Sequence, residues 1–291
     1  MQIAYHLGAH CTGEEALMKC LLKNRGLLAE EGIAVPGPAR YRTLLRDTVN
    51  ALSGQPASPD TEEMLIEQIL DDEAAERMVL SFDSFMAFPR WALGRGKLYP
   101  GATNLTRGLA RAFPSHETEF HLAIRNPATF LPALLKKQRG KSYEEFIEGT
   151  DPLLLDWSEL IGRIAGATPE IPLTVWCDED TPLIWPEVLR EVSGHDPYTR
   201  LDGTHDIVAA IIEPEGLERM IDYLATHPPQ TEIQRRRIVS AFLDKFGLDE
   251  AIEIELDLPG WTEDYVEALT ARYEDDLHRI ARMPGVHFIA P

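Results

Sequence analysis

Short β-rich runs alternate with longer helical stretches along most of this chain, and this alternation constrains the fold more than any other feature. The runs lie at 3–7 (IAYHL), 78–82 (MVLSF), 120–124 (FHLAI) and 172–176 (PLTVW), with a weaker one at 252–256 (IEIEL). The segments between them are long enough for the crossover helices that join parallel strands. The sequence therefore predicts an α/β fold in which helices flank both faces of a parallel sheet.

Apolar stripes mark the clearest helices. Residues 61–78 carry four apolar side chains on one side of a helical projection, at Leu65, Ile66, Ile69 and Leu70. The last hundred residues are predicted to be mainly helical, most clearly at 261–283, where Thr262 is the expected N-cap. The polar stretch 53–60 is the best candidate for a mobile connection. No internal repeat or low-complexity tract divides the chain, so we expect one domain over 1–291.

The net charge narrows the classes of possible partners, and the cysteine content narrows the possible cellular compartments. The chain has 28 Lys and Arg against 48 Asp and Glu, a formal net charge of −20. A surface this acidic repels nucleic acid and anionic membranes, so we expect neither as a general partner. Three sparse cysteines do not form a disulfide framework and suit a reducing compartment. With no secretory signal and no apolar run long enough for a membrane span, the expected location is the cytoplasm.

The first β-rich run leads into a glycine-containing loop and then a helical pattern, IAYHLGAHCTGEEALMKCLL at 3–22. A phosphate-binding loop is built in this way, because a tight turn and a helix N-terminus aim free N–H groups at one point. Gly8 and Gly13 provide the backbone freedom for such a turn. The Gly-Lys-Ser/Thr ending of the Walker motif is missing, so the loop does not indicate ATP or GTP hydrolysis.

The loop resembles the 5′-phosphosulfate loop of the sulfotransferases, which runs roughly G-x-x-K-T/S-G-T-T/S-x-L after the first strand. Three further segments resemble that family in the same order: NRGLLAEEGIAVPG at 24–37, VLSFDSF at 79–85 and LAIRNPATFLPALL at 122–135. The resemblance implies a sulfotransferase-like fold. It also implies an activity, the transfer of a sulfuryl group from 3′-phosphoadenosine 5′-phosphosulfate to an acceptor hydroxyl.

The resemblance also marks the positions that would bind this donor, and several carry unexpected residues. The family's loop lysine falls on Cys11, its two hydroxyl residues fall on Glu14 and Glu15, and the serine after its arginine falls on Ala133, whereas the arginine itself is kept at Arg125. The full set of matching positions is Gly8, His10, Cys11, Thr12, Gly13, Glu14, Glu15, Arg125 and Ala133.

The glutamates predict a loop closed to the donor. A carboxylate about 4 Å from a phosphate costs roughly 1–4 kcal/mol, whereas micromolar binding amounts to about 8 kcal/mol. Thr12-Gly13-Glu14-Glu15 also fits a capping box, in which Thr12 and Glu15 would satisfy the free N–H groups of the helix reciprocally. We therefore expect the chain's own carboxylates to occupy the position of the donor phosphate.

Asp83 follows the second β-rich run, where the resembled family places the base that takes the acceptor proton. It is the candidate catalytic residue, and the alternative is a turn or helix-capping role. Arg125 either lines a ligand pocket at the end of its strand or closes the loop through a salt bridge.

Five other groups of residues could have a functional role, and each also has a simpler structural explanation. His6, His10, Cys11 and Glu14 are metal-ligand types, but they lack a recognised spacing, and no metal is predicted. The acids at 178–180 follow a strand and are expected to cap a helix and remain solvated, and the alternative is a site for a divalent cation. Arg235 to Arg237 either bind a 3′-phosphate or, as we favour, form a solvated helix face. Ser115 with His116, and His205 with Asp206, lack a G-x-S-x-G motif, so a hydrolase is not expected.

The leading hypothesis is a sulfotransferase-like protein whose donor binding is lost or weakened and which acts as a binding or scaffold protein. One alternative is an active sulfotransferase that uses Arg125 and Asp83. Another is a transferase that uses a different nucleotide. The acceptor or partner is not identified by any residue pattern.

Overall fold

The computed structural model of the chain describes residues 1–71, 74–138, 140–252 and 258–291, with the backbone alone at residues 14 and 252. The strands are β1 (Gln2–His6), β2 (Ile33–Ala34), β3 (Arg77–Ser81), β4 (Leu93–Gly94), β5 (Lys97–Leu98), β6 (Glu117–Ile124), β7 (Leu173–Cys177) and β8 (Val286–Ile289). The helices are α1 (Glu14–Lys23), α2 (Arg25–Glu30), α3 (Pro38–Leu52), α4 (Pro59–Leu70), α5 (Ala102–Ala112), α6 (Pro127–Lys137), α7 (Tyr143–Ile147), α8 (Trp157–Ala167), α9 (Thr181–Ser193), α10 (Asp206–Ala209), α11 (Pro214–Thr226), α12 (Glu232–Phe246), α13 (Asp249–Ile252) and α14 (Glu263–Ile280).

Six strands form one parallel sheet in the order β2-β3-β1-β6-β7-β8, and β4 and β5 form a separate antiparallel pair. The predicted α/β class with helices flanking a parallel sheet is confirmed, as is the largely helical C-terminal third. Strand β1 lies at the centre and pairs with β3 on one side and β6 on the other.

The core follows from the two-residue period of the strands. In β1, Ile3 and Tyr5 belong to an apolar cluster on one face of the sheet, and Ala4 belongs to a second cluster on the other face. The first cluster includes residues of α3, α4, α5, α6, α8 and α14, and the second includes residues of α1, α2 and α9. Both faces are therefore buried, which explains why the strands read as continuous apolar runs.

Two edge strands and one helix end differ from the sequence predictions. Strands β2 and β8 were not predicted. Strand β2 has only two residues, and β8 is a short strand of four residues that follows a long helix, so neither gives a clear apolar pattern. The predicted helix at 61–78 is α4, and it ends at Leu70, where Asp71 takes a left-handed conformation (φ 56°). The first residue of the strand expected at 252–256 is the last residue of α13, and the rest lie outside the described residues.

The C-terminal helix α14 is confirmed, with Thr262 as its N-cap accepting a hydrogen bond from the Tyr265 N–H at 3.3 Å. Across the described residues, the helices are all too short or too polar to cross a membrane.

The basic cluster at Arg235 to Arg237 does not form the solvated face that we expected. Arg235 and Arg236 on α12 both bind the carboxylate of Glu187 on α9, which is only 8% exposed, while Arg237 is exposed. Arg235 also donates through Nε to Glu232 at 2.7 Å. These ion pairs join α12 to the layer that covers the sheet.

This ion-pair cluster gives a stability prediction. The Glu187→Gln substitution keeps the shape of the side chain but removes the carboxylate shared by two largely buried guanidinium groups, of which Arg235 keeps its pair with Glu232. We expect it to lower the free energy of unfolding by about 2–4 kcal/mol, somewhat below the usual cost of breaking a fully buried pair. Equilibrium urea unfolding measures the change.

The control is Glu215→Gln, which removes an exposed pair with Arg219 on α11 and should cost no more than about 0.5 kcal/mol. Equal effects of the two substitutions would show that the Glu187 cluster does not stabilise the fold.

Candidate functional site

The loop between β1 and α1 lies at the carboxyl edge of the sheet and continues the pairing with β6. The Leu7 and Ala9 N–H groups donate to the carbonyls of His121 and Ala123, each at 2.8 Å, and the Ala123 N–H donates to the Gly8 carbonyl at 2.7 Å. The start of the loop is therefore held by backbone bonds to the neighbouring strand.

Gly8 has a structural reason to be glycine. Its φ is +102°, a conformation that residues with a side chain rarely adopt, and an added Cβ would lie 3.1 Å from the Cα of Asp83. The loop therefore packs directly on the backbone that follows β3, which brings Asp83 to the site.

His10 and Tyr99 form a buried, hydrogen-bonded pair beside the loop. The Tyr99 hydroxyl accepts from the His10 backbone N–H at 2.9 Å and lies 2.8 Å from its Nδ1, and the two rings stack 5.6 Å apart. Burial lowers the pKa of His10 to about 4, although the charge of Asp83 acts in the opposite direction. His10 is therefore neutral at physiological pH.

A line of polar contacts connects this pair to Asp83. His10 Nε2 lies 3.3 Å from the Ser84 hydroxyl, which donates to Asp83 Oδ1 at 3.0 Å, and Lys137 Nζ donates to Oδ2 at 3.3 Å. The contacts are all satisfied if Tyr99 donates to Nδ1 and the Nε2–H donates to Ser84. Asp83 thus accepts from a hydroxyl and an ammonium group instead of capping a helix.

The prediction of a capping box formed by Thr12 and Glu15 is wrong. The N-cap of α1 is Gly13, which has no side chain to accept a capping bond, and the Thr12 hydroxyl donates to the Ala9 carbonyl at 2.7 Å. Because the helix starts one residue later than the motif requires, Glu15 is no longer at the N3 position and its side chain is exposed. The side chain of Glu14 lies outside the described part of the structure.

The acid that reaches the helix N-terminus is Asp178, which follows β7. Its Oδ1 accepts from the Gly13 N–H at 2.9 Å. Burial raises the pKa of Asp178 to about 6, with the Arg125 charge and the Gly13 N–H acting against this rise and Glu179 adding to it. The carboxylate that binds the Gly13 N–H therefore comes from Asp178, a residue that the sequence did not place at the loop.

Arg125 also binds the loop. Its Nη1 donates to the Cys11 carbonyl at 2.6 Å and its Nε donates to the Thr129 hydroxyl at 2.9 Å. Cys11 has a positive φ of 60°, and burial raises the pKa of its thiol, with Lys137 and Arg125 opposing this effect. Ala133, one turn beyond Thr129 on α6, is partly buried and brings no polar group.

A cavity of about 570 Å³ adjoins the loop. Among its lining residues are Gly13, Arg125 and Thr129 from the loop side, and Ser240 and Leu243 from α12. Among the described residues, its charged lining groups are Arg125 and three acids, Asp178, Glu179 and Asp244. The excess of negative charge repels a ligand with several phosphate groups.

Among the acids at 178–180, Asp178 and Asp180 are partly buried and so less solvated than predicted, whereas Glu179 is exposed. Glu179 accepts from the Asn126 N–H at 2.7 Å and from the Tyr273 hydroxyl at 3.2 Å. Asp180 is the N-cap position of α9, but its side chain makes no capping bond there. Two of the three acids therefore connect the β7 end to neighbouring segments.

The weaker candidate groups do not assemble into sites. His6 bonds Ser81 at 2.8 Å and stacks on Trp176, away from the His10–Tyr99 pair. Within the described ranges, no group of three or more His, Cys, Asp or Glu side chains could hold a metal ion. The Ser115 N–H donates to Glu62 and His116 Nδ1 lies 3.4 Å from the chain's amino terminus, so this pair sits at the other edge of the sheet.

Three contributors to the site were missed by sequence reasoning: Tyr99, Lys137 and the contact of Asp178 with the loop. Asp178 follows a strand two places from β1 in a parallel sheet, so its proximity to the loop followed from the strand order. Tyr99 and Lys137 had no comparable signal, because Tyr99 follows a strand of only two residues and Lys137 ends a helix with a second lysine beside it.

Comparison with known proteins gives little further information. No protein-family model matches the chain, and no curated protein does either. Among solved structures, a sulfotransferase from Alicyclobacillus acidocaldarius is similar, with a TM-score of 0.41 and 13% identity, over 83% of this chain and 99% of that chain. A similarity at this level carries no conclusion about ligands, activity or individual residues.

The buried carboxyl of Asp178 gives a prediction about pH. Its pKa is about 6 in the fold against a usual 3.8, so the folded state binds this proton more tightly than the unfolded state does. Its contribution to stability is complete below about pH 4 and is lost as the pH rises through about 6. The loss amounts to roughly 2–3 kcal/mol.

The Asp178→Asn variant keeps an oxygen for the Gly13 N–H but does not titrate. Between about pH 4 and pH 6, its free energy of unfolding should fall less than that of the parent. Carbon-13 NMR of the parent should show one aspartate carboxyl with a midpoint near 6 that is absent from the variant. Identical stability profiles would contradict the raised pKa.

Proposed function

We propose that this chain is a sulfotransferase-like protein that does not use the 3′-phosphoadenosine 5′-phosphosulfate donor and acts as a binding protein. The observation that carries the proposal is the hydrogen bond from the Gly13 N–H to Asp178 Oδ1 at 2.9 Å. The N–H group that would face a donor phosphate already has an anionic partner from the chain itself.

The energetics favour this closed arrangement. A phosphate at the loop would have to displace Asp178 or accept its repulsion, which costs roughly 1–4 kcal/mol at about 4 Å. Cys11 offers no positive charge to offset this cost, and Glu179 and Asp244 add further negative charge to the same cavity. Micromolar binding amounts to only about 8 kcal/mol, so these terms remove a large part of it.

Nucleotide titration tests the proposal. Thermal unfolding of the parent should not shift with 3′-phosphoadenosine 5′-phosphate, whereas a ligand at 100 times its Kd would stabilise the fold by about 2.7 kcal/mol. The double variant Cys11→Lys/Asp178→Ala should gain a measurable shift, because it adds a cation and frees the Gly13 N–H. Lysine adds little backbone strain there, since the cysteine already has a positive φ.

The matched control is Cys11→Lys/Asp244→Ala, which makes the same change of charge within the same cavity but leaves Asp178 on the loop. A similar gain in both double variants would assign the effect to general charge. A clear shift in the parent at sub-millimolar nucleotide would overturn the closed-loop proposal.

A second candidate function is an active sulfotransferase with altered donor contacts. The contact that favours it is the pairing of Asp83 with Lys137 and Ser84, because it holds a carboxylate beside the loop where an acceptor hydroxyl could be deprotonated. A transferase that uses another nucleotide remains the third possibility, and ATP and GTP belong in the same titration.

Asp83→Asn tests the enzymatic alternative. If the parent transfers a sulfuryl group to any phenol, the substitution should reduce the rate by roughly 10²–10⁴, as expected for loss of a general base. Transfer of radioactive sulfate from the donor measures the rate. An unchanged rate in a folded variant would remove Asp83 from the mechanism.

A further inference from the structure

A second cavity lies between α3, α5 and the segment after β3. Its volume is about 170 Å³. Val49, Phe85, Ala87 and Leu109 form a buried apolar floor, and Arg46, Asn50 and Trp91 are exposed lining residues. An apolar cavity of about 150 Å³ is large enough to take up benzene, so this space fits one six-membered ring.

The charge at this cavity is opposite to the charge of the chain as a whole. Its charged lining residues, within the described part of the chain, are Arg42 and Arg46, and no acid lines it there. The chain carries a formal net charge of −20, so a positively charged apolar cavity on it is a marked local exception. This complementarity selects a ligand with a negative group at the cavity mouth.

Arg46 is the residue best suited to hold such a group. Its Nε donates to Asp47 at 3.0 Å, in a pair whose side chains are 44% and 63% exposed. Pairs this exposed contribute little, and a guanidinium has five N–H donors in a planar fork that suits a carboxylate. Arg42 lies over the Phe82 ring at 4.6 Å and donates to the Ser81 carbonyl, so it positions the cavity wall.

We propose that this cavity binds a small aromatic monocarboxylate, with its ring on the apolar floor and its carboxylate on Arg46. Aromatic side chains among the lining residues suit a planar ring, which they can meet edge to face or offset. The cavity also includes Ser84, whose hydroxyl bonds Asp83, so a bound ligand would lie next to the polar contacts at the loop.

This inference supplies a ligand class for the binding role proposed above and rests on that role. The binding-protein proposal and the cavity proposal can fail separately, because the first is tested by nucleotide binding at the loop and the second by binding of an aromatic acid at this cavity. A parent that binds nucleotide overturns the binding-protein proposal alone. A parent that binds neither nucleotide nor aromatic acid overturns the cavity assignment alone.

Fluorine-19 NMR titration of the parent with 4-fluorobenzoate and its neutral analogue 4-fluorobenzamide tests the assignment. We expect saturable binding of the acid with a Kd below about 10 mM, and binding of the amide about fivefold weaker, the change that roughly 1 kcal/mol produces. No saturable binding of the acid, or equal affinity for both probes, would overturn the proposal.

Variants then locate the site. Arg46→Gln should weaken benzoate binding about fivefold and leave benzamide binding unchanged. The control is Arg40→Gln on the same helix, an arginine of similar exposure that pairs with Asp71 and does not line the cavity. Equal loss in both variants would exclude a specific role for Arg46.

Filling the cavity provides the last check. Ala87→Leu places three more carbons on the floor and should abolish binding of both probes, while a cooperative melting transition shows that the variant folds. If Ala87→Leu does not fold, Leu105→Phe fills the cavity from α5 instead. Undiminished binding in a folded filled variant would place the ligand elsewhere.

Discussion

The pairing of β1 with β3 on one side and β6 on the other is the constraint on which the site depends. All three strands are parallel, so their carboxyl ends meet at one edge, and the segments that leave them must pack together. The first loop extends the pairing with β6 through Leu7 and Ala9, and at Gly8 it packs on the backbone of Asp83. Residues about 75 and 115 positions away along the chain are thereby brought to the loop, as the register of the strands requires.

Two pairs of opposite charge organise this edge. Asp178 lies on the Gly13 N–H with Arg125 close enough to influence its pKa, and Asp83 accepts from Lys137 on the other side of the loop. Both acids follow strands of the sheet. Arg125 and Lys137, in contrast, belong to one segment, which begins at the end of β6 and includes α6. The same segment therefore supplies the positive charge on both sides, and the loop between them is held without an external anion.

The two cavities differ in the charge of their lining residues. Counting the described lining residues, the cavity at the loop has three acids and one arginine, whereas the cavity lined by Ser84 has two arginines and an apolar floor. An anion with several charges is repelled from the first cavity, while a small anion with a ring is suited to the second. The proposed loss of donor binding and the proposed aromatic carboxylate site thus follow from one distribution of charge.

The sequence by itself determined the four central strands of the sheet but not its edge strands β2 and β8, because a buried parallel strand must be a continuous apolar run and four such runs stand out. It also determined the position of the loop and the start of the C-terminal helix after Thr262, since these depend on neighbouring residues alone. Only the tertiary structure decided which acid meets the loop. A capping box read from Thr12 and Glu15 is a local pattern, and a shift of the helix start to Gly13 cancels it. Asp178 reaches the Gly13 N–H from 165 residues away, through strand order, which no local pattern contains.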